Sequence, residues 1–404
     1  MHILLIHQAF AALDEPGGTR HHELARYLVT QGHRVTIIAS PVSYLTGTSQ
    51  TRHRPKQVDD RGVVILRSFT LSALHRSFIW RVISFFSFMI SAFVRGLFVR
   101  NVDLVWGTSP PMFQALTAWL LARLKNVPFL FEVRDLWPAF AVAVGVLKNK
   151  SLIRLSEWLE RFLYRRANHL VVNSPGFMDH VREKGARQVS LIPNGADPDM
   201  FDPEESGLPF REKHGFGDDF VVLYAGAHGL SNDLDVVLES AEQLKENKQI
   251  QVVLMGSGKE KPHLQAEAAS RGLSNLHFLP PLPKQDMPAA LGAADACLAI
   301  LKPIELYKTT YPNKVFDYMA AGRPVILAID GVIRQVVEDA DAGLFVPPGD
   351  AAALANVIKE LTSNPEKCRK MGMNGRTLIV SRFSRKELAG QFTALLESVW
   401  RRDA

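Results

Sequence analysis

Short apolar runs alternate with stretches of helical period along the whole chain. HILLIH, a Gly-Gly loop, HHELARYLVTQG and HRVTIIAS form a βαβ pattern. Leu24, Ala25, Leu28 and Val29 share one helix face there, and Gly32 stops the helix. VVILRSF, DLVWGTS, PFLFEVRD, HLVVNSP and VSLIPNG read as further strands, with helical patterns between several of them. Near residue 200 the segment NGADPDMFDPEESGLP is polar and rich in Pro and Gly, the signature of a linker. A second alternating series follows: FVVLYAG, a helix over about 233–246, IQVVLMGSG, LHFLP, ACLAIL, NKVFDYMAAG, PVILAI and GLFVPP. Strands that are apolar throughout imply parallel sheets covered on both faces. The fold class expected is α/β, with two doubly wound, Rossmann-like domains over 1–203 and 204–383. A last helix over 384–404 is free to pack on either.

Composition narrows the class. The chain has 404 residues, 47% hydrophobic and 22% charged, which suits a globular protein of two domains. Cys297 and Cys368 cannot make a disulfide framework and are compatible with a reducing compartment. The start MHILLIHQAF lacks a cationic leader and a small-residue cleavage site, so it reads as a first strand and not a signal peptide. Residues 1–200 carry 24 Lys/Arg against 14 Asp/Glu, whereas the remainder carries 23 against 27. A basic first half points to an anionic partner, phosphates or an acidic membrane. No helix-turn-helix, zinc-finger or RNA-binding signature accompanies the charge, which argues against nucleic acid.

Residues 76–100, RSFIWRVISFFSFMISAFVRGLFVR, stand out. The uncharged run from Val82 to Val94 is too short to span a bilayer. It suits an interfacial helix, with Arg81 and Arg95 near headgroups and Phe85, Phe86 and Phe93 toward the acyl boundary. A buried core helix is the competing reading.

In a doubly wound sheet the ligand sits beyond the carboxyl ends of the strands, where helix N-termini favour phosphate. The strand ACLAIL leads through a loop to Pro312 and Asn313, which open the helix carrying Asp317 just past its first turn. A carboxylate there can accept hydrogen bonds from the ribose hydroxyls of a nucleotide. The plainer alternative is an acid favoured by the helix dipole.

The neighbouring residues carry a resemblance. DYMAAGRPV (317–325) is similar to the second half of the signature of the retaining glycosyltransferases of family four, which have the GT-B fold. In order along the chain, Gly17–Gly18, GHRVTII, NSPG (173–176), PNGAD (193–197), YAG (224–226), MGSGK (255–259), GLFVPPGD (343–350) and KMGMNGR resemble other regions of that family. EVRDLWP (132–138), together with the amphipathic segment and YPNKVFDYMAAG, looks like a bacterial subgroup of surface-polysaccharide assembly. That subgroup includes the N-acetyl-L-fucosamine transferases assigned to O-antigen and capsule pathways. The resemblance implies a UDP-linked N-acetylated amino or deoxyamino hexose as donor, and a saccharide on polyprenyl diphosphate as acceptor. It implies a cytoplasmic location, peripheral on the inner face of the membrane.

The chain also departs from the family pattern. Thr309 stands where the family has its first Glu, and Glu305 is out of register. Ala227 and Asn232 stand where an Arg and a Lys usually grip the diphosphate. The expected substitute is a backbone nest with a lysine clamp, drawn from His228, Gly229, Gly258, Lys259, Asn313 and Lys314. His228 as a loop residue without ligand remains open. Gly17 and Gly18 would let the backbone approach the donor phosphate or the acceptor, or simply form a tight turn. Arg134 occupies the place of a family residue that contacts the donor sugar. Asp135 would orient the acceptor hydroxyl, or form a structural pair with Arg134. Catalytic roles are thus expected of Arg134, Asp135 and Lys259, with no metal and no cofactor. His21 and His22 are expected to carry no chemistry. Truncating Asp317 is expected to weaken donor binding and leave folding nearly intact. The alternatives are a nucleotide-sugar 2-epimerase on the same fold and a non-catalytic subunit with a degenerate clamp.

Overall fold

The computed structural model describes residues 1–43, 47, 54–72 and 78–403. The chain divides into two units. The first comprises Met1–Leu13, Gly17–Pro193 and the segment from Lys386 on; the second comprises Asp14–Pro16 and Asn194–Arg385.

The first unit is built on eight strands: β1 (His2–His7), β2 (Arg34–Ala39), β3 (Lys56–Val58), β4 (Val64–Arg67), β5 (Leu104–Ser109), β6 (Phe129–Val133), β7 (His169–Val172) and β8 (Val189–Leu191). Their order is β3-β4-β2-β1-β5-β6-β7-β8, parallel except for β3. Every residue of β1, β5, β6 and β7 is buried, as strands covered on both faces require. The helices are α1 (Arg20–Thr30), α2 (Phe78–Leu97), α3 (Met112–Lys125), α4 (Ala139–Ala143), α5 (Lys150–Arg166) and α6 (Met178–Glu183). Asn149 starts α5 by accepting from the N–H groups of Ser151 and Leu152, and Asn126 ends α3 in the left-handed conformation.

The second unit has six parallel strands: β9 (Phe220–Ala225), β10 (Ile250–Met255), β11 (Leu276–Leu279), β12 (Ala296–Ile300), β13 (Val325–Ala328) and β14 (Gly343–Phe345), in the order β11-β10-β9-β12-β13-β14. Its helices are α7 (Leu208–His214), α8 (Leu234–Leu244), α9 (Lys261–Ser270), α10 (Met287–Gly292), α11 (Asn313–Ala320), α12 (Val332–Asp339), α13 (Ala351–Thr362) and α14 (Pro365–Arg382). Separate apolar cores cover its two sheet faces, one around α8 and α13 and the other around α11 and α10.

The division at Pro193 precedes the boundary expected at residue 203. The linker-like segment is tied into the second unit. Ala196 pairs with Ser384, and Phe201 is fully buried in the core around α11. The last helix, α15 (Arg385–Asp403), closes the first unit. Leu388, Phe392, Leu396 and Val399 join the core of β1, β2 and α1, and Phe392 packs 4.7 Å from Trp106 between ring centroids.

Helix α2 leaves apolar side chains exposed on one face and buries a mixed one, with Phe88 and Ala92 inside beside Ser84. The first residues of the segment expected to be interfacial, 76 and 77, lie outside the described residues. Its serines face inward: Ser84 donates to the Leu71 carbonyl (2.7 Å), Ser91 to Phe69 (2.5 Å), and Ser87 accepts from the Leu71 N–H (2.9 Å). Arg95 also turns inward, donating to the carbonyls of Arg67 and Pro55, because those carbonyls beside β4 need donors. This corrects the headgroup role expected of Arg95. Phe85 and Phe86 lean on Phe113 of α3, and Arg81, Phe85 and Phe93 are half-buried.

Helix α14 crosses α11 at a glycine. A Cβ on Gly372 would lie 1.9 Å from the Gly322 carbonyl oxygen, just beyond the end of α11. Gly372→Ala must therefore push the helices apart. It is expected to cost about 2 kcal/mol, read as a lower urea midpoint with an unchanged slope.

Candidate functional site

Strand order reverses between β9 and β12 in the second unit, and the loops that follow these two strands bound the space beyond their carboxyl ends. After β9 the chain runs Gly226-Ala227-His228-Gly229; after β10 it runs Gly256-Ser257-Gly258-Lys259. The two loops touch backbone to backbone. A Cβ on Gly256 would sit 1.8 Å from the Gly226 carbonyl oxygen, and one on Gly258 would sit 2.3 Å from that of His228. Both glycines adopt positive φ, 151° and 158°. The His228 N–H donates to Ser257, and the Glu260 N–H to the His228 carbonyl. The His228 ring is fully buried with neither nitrogen hydrogen-bonded. Burial, with the charges of Lys261 and Lys314, pushes its pKa down to about 4, so the ring is neutral at pH 7.

The nest expected here is partly consumed. The N–H groups of Gly226, His228 and Gly256 donate to Met255, Ser257 and Leu279. Lys259 is exposed and has no partner among the described residues. Lys261 lies inside instead, its Nζ donating to the carbonyls of Gly256 (2.8 Å) and Leu279 (2.9 Å).

Helix α11 supplies the rest. Pro312 caps it in extended conformation, and Asn313 and Lys314 occupy its first turn. The Lys314 ammonium is buried with no hydrogen-bond acceptor. It rests 3.7 Å from the centroid of the Tyr224 ring, whose hydroxyl donates to Ala227, and a Cβ on Gly226 would come within 2.5 Å of it. Burial pulls its pKa down to about 7. A cation on an aromatic face, lacking an anion, is set to receive one.

Asp317 lies one turn further along α11, mostly buried. Its Oδ2 accepts from Lys284 at 2.5 Å and from the Asn313 amide at 3.1 Å. Lys284 is itself buried against Phe201. Nothing in the sequence signals this partner, which comes from a short 3-10 turn on another connection. Asn313 also accepts from Arg385, which donates to the Gly195 carbonyl as well. Thr309 donates to Leu306 within the turn before α11, and Glu305 is exposed and paired with Lys308.

The first unit has its own reversal, between β1 and β5. A charged cluster lies buried beside it. Glu132 on β6 is fully buried and accepts from Arg20 (2.9 Å) and His21 (2.7 Å) of α1. Burial alone would raise the Glu132 carboxyl; the neighbouring His21 and Arg20 outweigh it and hold the group ionised. Burial brings His21 down to about 4, so at neutral pH Arg20 carries the balancing charge and His21 donates as a neutral ring. Arg20 also donates to the carbonyls of Ile192 and Pro193. His21 is thus a structural partner of Glu132, and His22 bridges the Leu13 N–H and Asp59. The available signal was an acid inside the apolar strand FLFEV, since such a charge must be balanced.

Arg134 follows β6 and donates to Thr108, the Ser109 carbonyl and His7 (3.2 Å). Asp135 follows directly. Burial raises its carboxyl to about 6, with the Arg134 charge offsetting part of the rise. Gln8, directly after β1, is buried with both side-chain polar atoms unpartnered. Gly17 would bring a Cβ within 2.8 Å of the Ala11 Cβ, whereas Gly18 faces open space.

These two halves match known families separately. Residues 17–195 match the Glycosyl transferase 4-like domain, and residues 209–378 match Glycosyl transferases group 1. The chain belongs to the GT-B glycosyltransferases. A candidate colanic acid biosynthesis glycosyl transferase, WcaI of Escherichia coli strain K12, is 24% identical over 85% of this chain and 88% of its own. Among solved structures, sucrose-phosphate synthase from Thermosynechococcus elongatus superposes with a TM-score of 0.79 at 19% identity, covering 99% of both chains. Anabaena HepE in complex with UDP-glucose does so at 0.74 and 16%, covering 98% of this chain and all of that one.

In this glycosyltransferase the Asp317–Lys284 pair changes one expectation. Removing the carboxylate strands a buried ammonium. Asp317→Ala is expected to lose about 3 kcal/mol of folding stability. Adding Lys284→Met should restore most of it, a coupling that thermal unfolding of the two single variants and the double variant measures. Additive losses would show that the pair contributes nothing.

Proposed function

We propose that this glycosyltransferase moves a sugar, with retention, from a UDP-linked donor to a saccharide carried on a lipid diphosphate. The step would belong to surface-polysaccharide assembly at the inner face of the cytoplasmic membrane. The observation that carries the donor half is the buried, acceptor-less Lys314 ammonium at the sheet's reversal point. It stands in for the Arg and Lys missing at Ala227 and Asn232. WcaI, named for colanic acid biosynthesis, and HepE, solved with UDP-glucose, support the pathway class and the nucleotide. The sugar proposed is an N-acetylated amino or deoxyamino hexose, supported by the likeness of residues 132–138 to transferases of that class.

The chemistry follows from charge. As the anomeric bond breaks, negative charge grows on the leaving diphosphate, and Lys314 stabilises it without reorganisation; such preorganised groups contribute several kcal/mol. Asp317 takes the ribose hydroxyls, with Lys284 and Asn313 fixing its orientation. Asp135, its carboxyl raised toward neutrality, orients the acceptor hydroxyl and accepts its hydrogen bond. Arg134 and His7 line the same reversal point of the first unit. Lys314 supplies the positive charge that a divalent cation would otherwise bring, so no metal or cofactor is proposed. A non-catalytic subunit would have no use for an ammonium buried at this cost.

The sign of the pH dependence is fixed. A lysine with a depressed pKa is a penalty on the empty fold, present in full below about 7 and absent above its unfolded value. Donor binding requires the charged form and raises that pKa. Affinity for a UDP-sugar, whose diphosphate does not titrate in this range, should therefore fall as pH rises above 7, by up to about tenfold per unit. Calorimetry with EDTA present should show proton uptake on binding. Lys314→Met should bind more weakly and lose both the slope and the uptake. Equal, pH-independent binding by the two proteins would remove Lys314 from the donor site.

A further inference from the structure

Helix α2 presents Ile83, Phe86, Ile90, Val94 and Leu97 to solvent at helical spacing, with Ile90 60% exposed. Its serines and Arg95 turn inward beside the buried Phe88 and Ala92. By length and apolarity its Trp80–Leu97 stretch could cross a membrane, yet those bonds to Phe69, Leu71, Arg67 and Pro55 hold it flat on the unit.

A second helix in the same layer repeats the theme. α2 packs on α3, and α3 on α5. Phe86 meets Phe113 at 4.7 Å, and Trp119 meets Phe162 at 4.8 Å, with Trp158 stacked beside it. On α5, Leu155 and Trp158 are each 59% exposed. Around Trp158 and Phe162 opens a groove of about 670 Å³ lined by Arg154, Arg161, Arg165, Arg166 and Arg187, with Glu157 its sole acid. None of the five arginines has an ion-pair partner among the described residues, and Arg166 lies over the Phe162 ring.

We propose that α2 and α5 form one docking surface for an anionic lipid bilayer, in which the α5 arginines bind headgroup phosphates and the α2 stripe enters the acyl boundary. This rests on the peripheral-membrane part of the proposed function and names its surface. The argument is complementarity. Unpaired guanidiniums call for phosphate, bidentate and planar. The exposed aliphatic stripe calls for an apolar phase. An acidic bilayer offers both, one layer above the other, and Trp158 suits the boundary between them. A folded protein partner would meet the apolar stripe but would need a dense acidic patch for α5.

The test is co-sedimentation of the full chain with phosphatidylcholine vesicles, with and without phosphatidylglycerol. The wild type should pellet with the acidic vesicles and far less with the neutral ones. Arg161→Glu with Arg165→Glu should lower binding to acidic vesicles about tenfold or more and erase the preference. Ile90→Glu with Val94→Glu should lower binding to both. UDP-sugar binding, measured in parallel, should be unchanged in each variant and so verify folding. Vesicle binding equal to wild type in the α5 variant overturns the proposal. So does a wild type that ignores both vesicles, or a wild-type dimer that Ile90→Glu with Val94→Glu dissociates, which would assign the face to a second copy. Vesicle binding without any nucleotide-sugar binding would keep this surface and sink the transferase reading instead.

Discussion

Between β1 and β5, and again between β9 and β12, neighbouring parallel strands send their next connections to opposite faces of the sheet. Right-handed crossovers impose this whenever a parallel sheet grows both ways from its first strand. The loops diverge there, and a gap opens at the carboxyl ends of the central strands. The residues proposed to carry the chemistry are arranged around these two gaps. His7 ends β1 and Arg134 and Asp135 follow β6, while His228 follows β9 and Lys314 follows β12.

The energetics of the two gaps differ. In the first unit the ionised carboxylate of Glu132 is matched by Arg20 and by the His21 N–H, so the cluster holds α1 against β6. Breaking such a buried pair from one side costs several kcal/mol, which makes it a structural clamp beneath the functional surface. In the second unit Asp317 is matched by Lys284, but the Lys314 ammonium has only the Tyr224 ring. The fold tolerates that imbalance because burial lowers the lysine toward neutrality, and a bound anion reverses the situation.

Much of this was legible in the sequence. Runs apolar in every position could only be doubly covered strands, and their alternation with helical periods gave both sheets and their class. The place of Asp317 and Lys314 followed from Pro312 opening a helix after an apolar strand. What stayed hidden is what periodicity cannot encode. Spacing shows that Ser84, Ser87 and Ser91 share a face of α2, but not that this face turns inward, because the deciding partners are backbone carbonyls at Phe69 and Leu71. Lys284 is distant in sequence from Asp317, and two opposite charges on separate connections leave no local trace. The end of the first unit was misplaced because Asp197 to Pro209 looks like a solvated linker, whereas Met200 and Phe201 anchor it in a core and Arg376 holds its carbonyls at Pro198 and Phe201. The α5 arginines were visible as charge and read only as part of a basic half.

Within the second unit Ala196 pairs with Ser384, and the Arg385 side chain reaches the Gly195 carbonyl, so the two ends of the long segment Asn194–Arg385 are tied together. In chain order it is an insertion. The first unit therefore cannot finish its core when its own sheet has been made. Trp106 waits for Phe392, and Leu28 and Val35 for the apolar face of α15, until the whole second unit has been synthesised. On the ribosome the later unit is the first able to close, and the earlier one is sealed last, by its final helix.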